Sequence, residues 1–270
     1  MEITRDHYLS EADREFTTNK TSGDYIKLDT IVMHYTAGRD ARSSADTLCD
    51  PDIKASAHLV LGRDGKIYQL APFTVSTWHA GTSSYAGRNG LNQYSIGIEM
   101  DNAGELSRSG SIYRSWFGAQ YAEEEVVYAV HRNQSMPKYW HRYSEKQIEL
   151  AEKICRLLVK KYNIEYILGH EEIAPTRKID PGPAFPLNKL RSTILETDRA
   201  SNDSDEFPAR GKVTASSLNI RADASGAAEK MARPLKQNAE VTVLERKNNW
   251  YRVKTEIEGW VYAEYIDLVS

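Results

Sequence analysis

The sequence of 270 residues predicts a mixed α/β protein, with a central β-sheet flanked by helices, that continues into a small all-β barrel. In residues 1–195, β-branched apolar runs alternate with a long amphipathic helical segment, the pattern of an α/β layer structure. Residues 209–270 hold short strands separated by turn residues, without helical periodicity. Residues 196–208 are rich in acids and poor in large apolar side chains, so they are expected to be a linker.

The first buried strand of the body lies in residues 26–38, IKLDTIVMHYTAG, whose apolar run ends in small residues and carries His34 near its end. Further along the chain, two apolar runs meet at Asp64 and Gly65. Both turn residues tolerate positive φ, so this segment is expected to form a β-hairpin.

Another short strand is expected at residues 95–100, SIGIEM, where the two isoleucines point to one face and Glu99 to the other. A capping-box spacing then opens an amphipathic helix at residues 144–162. Cys155 lies on the apolar stripe of this helix and is expected to be a buried, inert thiol. The run IEYIL after the helix predicts a strand that delivers His170 to its carboxyl end.

Composition and charge exclude several classes of protein. The 35 basic and 38 acidic side chains leave a net charge of −3, so no basic field favours nucleic acid. Cys49 and Cys155 fit neither a disulfide scaffold nor a zinc site with paired cysteines, so any metal is expected to be bound by histidine and carboxylate. No apolar run approaches the roughly 18 residues of a membrane span, and the amino terminus has no secretory signal.

Residues 169–186, GHEEIAPTRKIDPGPAFP, form a loop rich in proline and glycine that contains His170, Lys178 and Asp180. Such a loop forms no regular secondary structure that would require these side chains, and functional groups concentrate in loops of this kind. A single histidine at a strand end, such as His34, is more often structural than a ligand. The group of His170, Lys178 and Asp180 in one loop favours a functional interpretation of this loop and of His34.

At this point the sequence resembles the zinc-dependent type 2 N-acetylmuramoyl-L-alanine amidases, a family related to the peptidoglycan recognition proteins. The resemblance covers residues 25–190 and rests on several motifs, of which the last is the most specific: IVMHYTAG, SAHLVLGRDGKIYQL, WHAG, SIGIEM and GHEEIAPTRKIDPGPAF.

The resemblance implies that His34, His170 and Asp180 bind Zn²⁺. Three N/O ligands with one open position are usual for catalytic zinc, which lowers the pKa of its water towards about 7 and polarises a carbonyl. By the same resemblance, Glu99 is the catalytic base that carries the water proton to the leaving amine. Lys178 is expected to stabilise the developing oxyanion.

Each of these residues also has a structural interpretation. Glu99 on an edge strand would face solvent, Lys178 would be an exposed loop charge, and Asp180 before Pro181 would cap a turn. The joint occurrence of all the motif residues favours the functional interpretation.

Trp78 and His79 of the WHAG motif are expected to line the substrate cleft. His58 also matches a family position, but a fourth protein ligand would close the water position of the metal. A packing or hydrogen-bonding role is therefore expected for it. Ala57 stands where one branch of the family has a catalytic tyrosine, which favours the branch that uses glutamate.

Residues 102–141 form an aromatic insertion of mixed charge before the capped helix, longer than most loops. Two interpretations are equally open. The insertion is either a wall of the substrate groove that contacts glycan or stem peptide, or a satellite cluster that packs on the body.

The tail resembles bacterial SH3-like modules over residues 210–270, through SLNIRADAS, PLKQNAEVTVLE, NNWYRVKT and EGWVYAEYI. The resemblance implies binding to cell-wall peptide or cross-bridge. Core packing is the simpler explanation for each of its aromatic side chains, because a small barrel needs them to fold. Asn238 stands where glycine is usual, in a turn conformation that asparagine also tolerates.

Together these features predict a zinc amidase that cleaves the bond between N-acetylmuramic acid and L-alanine, with peptidoglycan or muropeptides as partners and the tail bound to the wall. Two alternatives are a cytoplasmic recycling amidase acting on soluble anhydromuropeptides and a recognition protein that binds without cleavage. Without a secretory signal, the protein is expected to be made in the cytoplasm. It would then reach the wall as an endolysin does, by holin-type release, or by another export route.

Overall fold

The computed structural model describes residues 1–195, 207–247, 250–255 and 258–269. The helices are α1 (Ala41–Cys49), α2 (Glu145–Tyr162), α3 (His170–Ile173) and α4 (Leu187–Leu195). The strands before α4 are β1 (Thr21–Gly23), β2 (Thr30–Tyr35), β3 (Leu59–Leu61), β4 (Ile67–Gln69), β5 (Ser76–Thr77), β6 (Ser84–Tyr85), β7 (Arg88–Asn89), β8 (Ser95–Met100), β9 (Glu105–Ser109), β10 (Ile112–Arg114), β11 (Gln120–Tyr121), β12 (Val126–Val130), β13 (Pro137–His141) and β14 (Tyr166–Gly169). The strands after α4 are β15 (Ala209–Val213), β16 (Ser217–Leu218), β17 (Leu235–Lys236), β18 (Glu240–Lys247), β19 (Trp250–Lys254), β20 (Glu258–Tyr262) and β21 (Ile266–Val269).

The chain divides into two compact units. One consists of Met1–Tyr143 with Gln147–Leu187, and the other of Ser144–Lys146 with Asn188–Ser270. The predicted linker at residues 196–208 lies outside the described residues except for its last two positions. Within the described part of the chain, no helix combines the length and the apolar character needed to cross a membrane.

The first unit is built on a five-stranded sheet in the order β14-β2-β8-β3-β4. Its first four strands are parallel, and β4 returns antiparallel to β3 across the turn that contains Asp64 and Gly65. The predicted strand at residues 95–100 and the predicted hairpin are therefore confirmed. Because β14, β2 and β8 are parallel neighbours, their carboxyl ends lie side by side at one edge of the sheet.

Apolar side chains cover both the sheet and the helices beside it. Ala41 and Ala45 of α1 pack on Val60, Tyr68 and Leu70. The apolar stripe of α2 is buried and consists of Ile148, Ala151, Ile154, Cys155 and Leu158. The prediction of a mixed α/β domain with a central sheet and helices is confirmed, and Cys155 is buried as expected.

The insertion at residues 102–141 forms a second five-stranded sheet, in the order β11-β10-β9-β13-β12. It has a small core of its own, which consists of Ala103, Leu106, Tyr113 and Val126. Gly104 lies at its root with a φ of 74°, and a Cβ there would come within 2.6–2.9 Å of the Tyr35 ring. Glycine is therefore required where this sheet begins beside the end of β2.

The part of the second unit that follows α4 is all-β, as predicted. Its five-stranded sheet has the order β20-β19-β18-β15-β21, and β16 pairs with β17. Trp250, Tyr251 and Tyr262 are buried, so core packing accounts for these aromatic side chains. Asn238 has a φ of 69°, the left-handed conformation that its position before a strand suggested.

Candidate metal centre

Three side chains from distant parts of the chain converge at the carboxyl edge of the central sheet. Nδ1 of His34 lies 2.9 Å from Nδ1 of His170, and each of these atoms lies 3.0 Å from Oδ2 of Asp180. His34 is near the end of β2, His170 opens α3 directly after β14, and Asp180 lies in the following loop. All three are buried. The structure thus brings the three predicted ligands together.

His79 determines which nitrogen of His34 carries the ring proton. Nε2 of His79 lies 3.2 Å from the backbone oxygen of Ser95, an acceptor, and must donate to it. Burial, with His34 and His58 adding to it, holds the pKa of His79 well below its usual value, so its ring has only this one proton. Nδ1 of His79 is then an acceptor, 3.0 Å from Nε2 of His34.

His34 must therefore donate from Nε2, and its Nδ1 carries a lone pair toward the cluster. Burial lowers the pKa of His34 to about 4, with His170 adding to the effect and Asp180 opposing it, so the ring is neutral at pH 7. A neutral imidazole whose second nitrogen is hydrogen-bonded is the usual state of a metal-ligating histidine.

The position of His79 is set by the residues around it. A Cβ on Gly97 would lie 2.3 Å from Cγ of His79, so β8 has glycine at the point where this ring crosses it. The backbone N–H groups of His79 and Ala80 both donate to Oδ1 of Asn92, at 3.1 and 2.7 Å. These contacts hold the ring between His34 and the backbone of Ser95.

The second histidine is oriented in the same way. Nε2 of His170 donates to the backbone oxygen of Ala80 at 3.1 Å, which leaves Nδ1 as the nitrogen that faces the cluster. Arg177 donates to this oxygen and to that of Thr82, at 2.9 Å each, and so fixes the loop that receives the histidine proton.

The donor set fits a divalent transition metal. In each ring the outer nitrogen is hydrogen-bonded away from the cluster, and the two inner nitrogens and a carboxylate oxygen of Asp180 lie 2.9–3.0 Å from one another. These three atoms can all donate an electron pair to one cation between them. Ligands at about 2.0–2.1 Å from a tetrahedral ion lie about 3.3 Å apart, close to the spacing of these atoms. The site therefore has the composition and the spacing of a three-ligand metal centre.

Glu99 stands beside the cluster on the neighbouring strand, where its backbone pairs in register with His34. β8 lies between β2 and β3, which contradicts the alternative of a solvent-facing residue on an edge strand. Oε2 of Glu99 is buried and has no hydrogen-bond partner among the described residues. Burial raises the pKa of Glu99 to about 8, with Asp180 adding to it and Lys178 opposing it. A carboxyl group with a pKa near neutrality can both take up and return a proton.

A cleft of about 320 Å³ opens over the cluster, and Lys178 lines it together with Glu99. His79 also lines the cleft but is buried and turned toward His34. Trp78 is exposed and is not among the residues that line the cleft, although its backbone N–H donates to Oγ of the lining residue Ser56 at 2.8 Å. All the predicted site residues except Trp78 thus line the cleft, and substrate contact by Trp78 and His79 stays a prediction.

His58 is buried behind His79 and takes no part in the cluster. Its Nδ1 accepts from the backbone N–H of Gly97 at 3.0 Å, and its Nε2 donates to the backbone oxygen of Val75 at 2.8 Å. Both ring nitrogens are thereby used, and the predicted hydrogen-bonding role is confirmed.

The inserted sheet supports the loop that carries Asp180. Nε2 of His131, directly after β12, lies 2.6 Å from Oε2 of Glu171, which also accepts from the backbone N–H of Gly182 at 3.1 Å. The backbone N–H of Glu171 donates to the backbone oxygen of Asp180 at 2.8 Å. His131 of the insertion is thus linked, through Glu171, to the backbone of Asp180 and of Gly182.

Sequence reasoning missed four residues that build this site: Asn92, His131, Glu171 and Arg177. Glu171 and Arg177 lie within the recognised motif of residues 169–185, and only their adjacency to His170 and Lys178 signals a role. Asn92 and His131 have no local pattern, because each acts on a partner that is remote in the sequence.

The fold and the site define an α/β protein with a candidate metal centre. Its His–His–Asp donor set lies at the ends of parallel strands, with Glu99 on the neighbouring strand. The chain belongs to the N-acetylmuramoyl-L-alanine amidase family, whose model matches residues 24–183. A model of the bacterial SH3 domain matches residues 216–267. Both resemblances recognised in the sequence are confirmed.

Characterised relatives include the N-acetylmuramoyl-L-alanine amidase AmiD of Escherichia coli K12, 31% identical over 183 residues, which are 64% of this chain and 56% of the relative. The 1,6-anhydro-N-acetylmuramyl-L-alanine amidase AmpD of Salmonella typhimurium SL1344 is 31% identical over 53% of this chain and 58% of its own length. The alignments thus span less than two thirds of these relatives. A solved complex of E. coli AmiD with anhydro-N-acetylmuramic acid-L-Ala-D-gamma-Glu-L-Lys has a TM-score of 0.46 and 30% identity, over 64% of this chain and 59% of that one.

Proposed function

We propose that this protein is a zinc-dependent hydrolase that cleaves the amide bond between N-acetylmuramic acid and L-alanine in peptidoglycan. The observation that carries the proposal is the position of Glu99. Its carboxyl group, with Oε2 buried and without a hydrogen-bond partner among the described residues, lies on the strand next to His34, beside a three-donor cluster that opens into a cleft.

Zinc is the metal that suits the donor set best. Two imidazole nitrogens and one carboxylate oxygen are common zinc ligands, and three protein ligands leave a position for water in a tetrahedral shell. Zinc bound by His34, His170 and Asp180 would polarise the scissile carbonyl and lower the pKa of a water molecule.

The remaining steps belong to side chains of this protein. Glu99 accepts the proton of the water that attacks the lactyl carbonyl carbon of muramic acid. It returns that proton to the nitrogen of L-alanine as the C–N bond breaks, so that a carboxylic acid and a free amine leave. Lys178, on the cleft wall, stabilises the negative charge that develops on the carbonyl oxygen.

The rest of the chain serves binding in this proposal. Residues 1–195 form the catalytic domain, with Trp78 and His79 contributing to the substrate cleft. Residues 209–270 hold the enzyme on the cell wall, the role inferred for the SH3-like module, and residues 196–208 connect the two.

Release of L-alanine amino termini from purified peptidoglycan tests the proposal. The zinc-loaded protein is expected to release them, a chelator to stop the release, and added zinc to restore it. Asp180→Ala should lose both bound zinc and activity, whereas Asp64→Ala, at the hairpin turn, should retain both. No release by the zinc-loaded protein would contradict the hydrolase assignment and favour recognition without cleavage.

A second substrate class is favoured by the relatives named as 1,6-anhydro-N-acetylmuramyl-L-alanine amidases. Such an enzyme would act on soluble anhydromuropeptides in the cytoplasm and would spare intact sacculi. The SH3 match points instead to a polymer, so we propose the cell wall as the place of action, reached by holin-type release or another export route. Comparison of turnover on sacculi and on soluble anhydromuropeptides separates the two.

A further inference from the structure

We propose that Trp116, carried by the inserted sheet, forms a sugar-stacking subsite at the rim of the cleft that binds the glycan strand beyond the muramic acid at the cleavage point. The inference rests on the proposed function and deepens it, because it assigns the enzyme to polymeric glycan.

Trp116 is the most solvent-exposed of the large apolar side chains in the described part of the chain, with 77% of its surface exposed. Its indole is nevertheless fixed, because Nε1 donates to the backbone oxygen of Ala37 at 2.7 Å. Ala37 lines the cleft and follows His34 by three residues. A large exposed ring is thus attached to the segment that leaves the metal cluster.

The turn that carries Trp116 is also well ordered by hydrogen bonds. The backbone N–H of Ser115 donates to the oxygen of Ala119 at 3.0 Å, and that of Gly118 donates to the oxygen of Ser115 at 3.0 Å. Oγ of Ser115 accepts from the backbone N–H of Ala119 at 3.1 Å. The tight turn between β10 and β11 therefore presents Trp116 outward from a rigid support, which lowers the entropy cost of stacking.

The chemistry of the exposed surface favours a sugar over the stem peptide. No Lys or Arg lies over the Trp116 ring among the described residues, and Phe117 meets it with ring planes 88° apart. An indole has a flat apolar face and a polar edge, and here the edge is taken by Ala37. The face that remains suits the C–H surface of an uncharged pyranose, whereas a carboxylate-bearing peptide would need a cation.

Position gives the subsite its role. The cleft of about 320 Å³ has room for the reacting bond and its immediate neighbours, while Trp116 lies outside it on the Ala37 side. A glycan strand is longer than this cleft, so the sugars next to the reacting muramic acid must lie on the rim. In this proposal a soluble fragment with a single sugar makes little or no contact with Trp116.

Trp116→Ala and Trp116→Phe test the inference in the full chain loaded with zinc. We expect Trp116→Ala to lower kcat/KM on long glycan strands about 3- to 10-fold, the range of an aromatic stacking contact, and mainly through KM. On a muramyl peptide with one sugar, it should stay within about 2-fold of the wild type by the same reasoning. Trp116→Phe keeps a stacking ring and should recover most of the loss. Met136→Ala changes an exposed residue between β12 and β13 of the same insertion, outside the cleft, and should leave kcat/KM unchanged on both substrates.

A binding measurement separates failure of this inference from failure of the proposed function. Peptide-free glycan strands have no scissile amide, so their affinity for the wild type and for Trp116→Ala can be measured even if the protein hydrolyses nothing. Weaker binding by the variant supports the subsite. Equal binding overturns it, as does an equal loss of kcat/KM on both substrates, which would mean that Trp116 only supports the Ala37 segment.

Discussion

Nε2 of His34 and Nδ1 of His79 lie 3.0 Å apart, with the two ring planes 84° from parallel. The contact connects a candidate metal ligand to a histidine whose single proton is given to the backbone of Ser95. The proton of each of these two rings therefore lies on Nε2. For His34, this leaves the lone pair of Nδ1 directed toward Asp180 and His170.

We expect His79→Ala to weaken zinc binding about 10- to 100-fold, the usual effect of removing the partner of a metal-ligating histidine. Titration with a competing chelator measures this affinity. His141→Ala is the matched control, because His141 is also a buried histidine but accepts from the backbone N–H of Ala103 at 3.1 Å and takes no part in the cluster, so the affinity of this variant should stay near that of the wild type. Unchanged affinity in His79→Ala would show that Asp180 and His170 alone orient His34.

Glu99→Gln keeps the size of the side chain but removes its ability to take up a proton. We expect kcat to fall by about 10²- to 10⁴-fold, the contribution of a general base, while the bound zinc stays the same. Metal analysis and kcat are measured on the same sample. Glu105→Gln on β9, whose carboxylate pairs with Lys138 at 2.8 Å, should retain full activity. An active Glu99→Gln enzyme would remove the assigned proton carrier.

His131→Ala should destabilise the fold by about 1–3 kcal/mol, because it leaves the buried Glu171 without one of its partners. Urea unfolding of the zinc-free protein measures the free energy. Arg156→Ala is the control: this residue pairs with Glu152 one helical turn away, its side chain is 41% exposed, and surface pairs are worth about 0–1 kcal/mol. Similar values for the two variants would argue against a bracing role for His131.

The buried His58 should make the protein less stable as the pH falls. Burial lowers its pKa from 6.5 to about 4 in the folded state, so between these values the unfolded chain binds the proton more tightly. The stability contributed by neutral His58 is fully present above pH 6.5 and is lost between pH 6.5 and pH 4, by about 3 kcal/mol in total.

The free energy of unfolding of the wild type and of His58→Gln, measured from pH 7.5 to pH 4, isolates this effect. The glutamine does not titrate, so the advantage of the wild type over the variant should shrink as the pH is lowered. A constant difference across the range would mean that His58 is already protonated in the fold or never titrates in the unfolded chain.

The part of the fold that was predictable from the sequence is the part specified by local pattern. The predicted strand at residues 95–100 matches β8, and the capping-box spacing places α2 within one residue of its observed start. The set of His34, His170 and Asp180 was expected from the family motifs, and the parallel pairing of β2 with β14 brings the two histidines together at the ends of these strands.

The inserted sheet was not predictable, because its pairing depends on partners distant in sequence. β9 pairs with β13, and this brings Glu105 opposite Trp140. The length of residues 102–141 was compatible both with a wall of the substrate groove and with a satellite cluster that packs on the body. The structure gives the insertion its own core and also two contacts near the site, through Trp116 and His131. Such contacts leave no periodic trace in the sequence.

His34 and His170 are 136 positions apart, and both cysteines, Cys49 and Cys155, are free thiols. A metal ion held by the two histidines would therefore cross-link the chain across most of the catalytic unit, as a disulfide does in a secreted protein. The closed loop is long, so its constraint on chain entropy is large. Removal of the ion would then remove this cross-link at the ends of β2 and β14, which would leave only their backbone pairing and packing, and resistance to proteolysis would report on metal occupancy as directly as activity does.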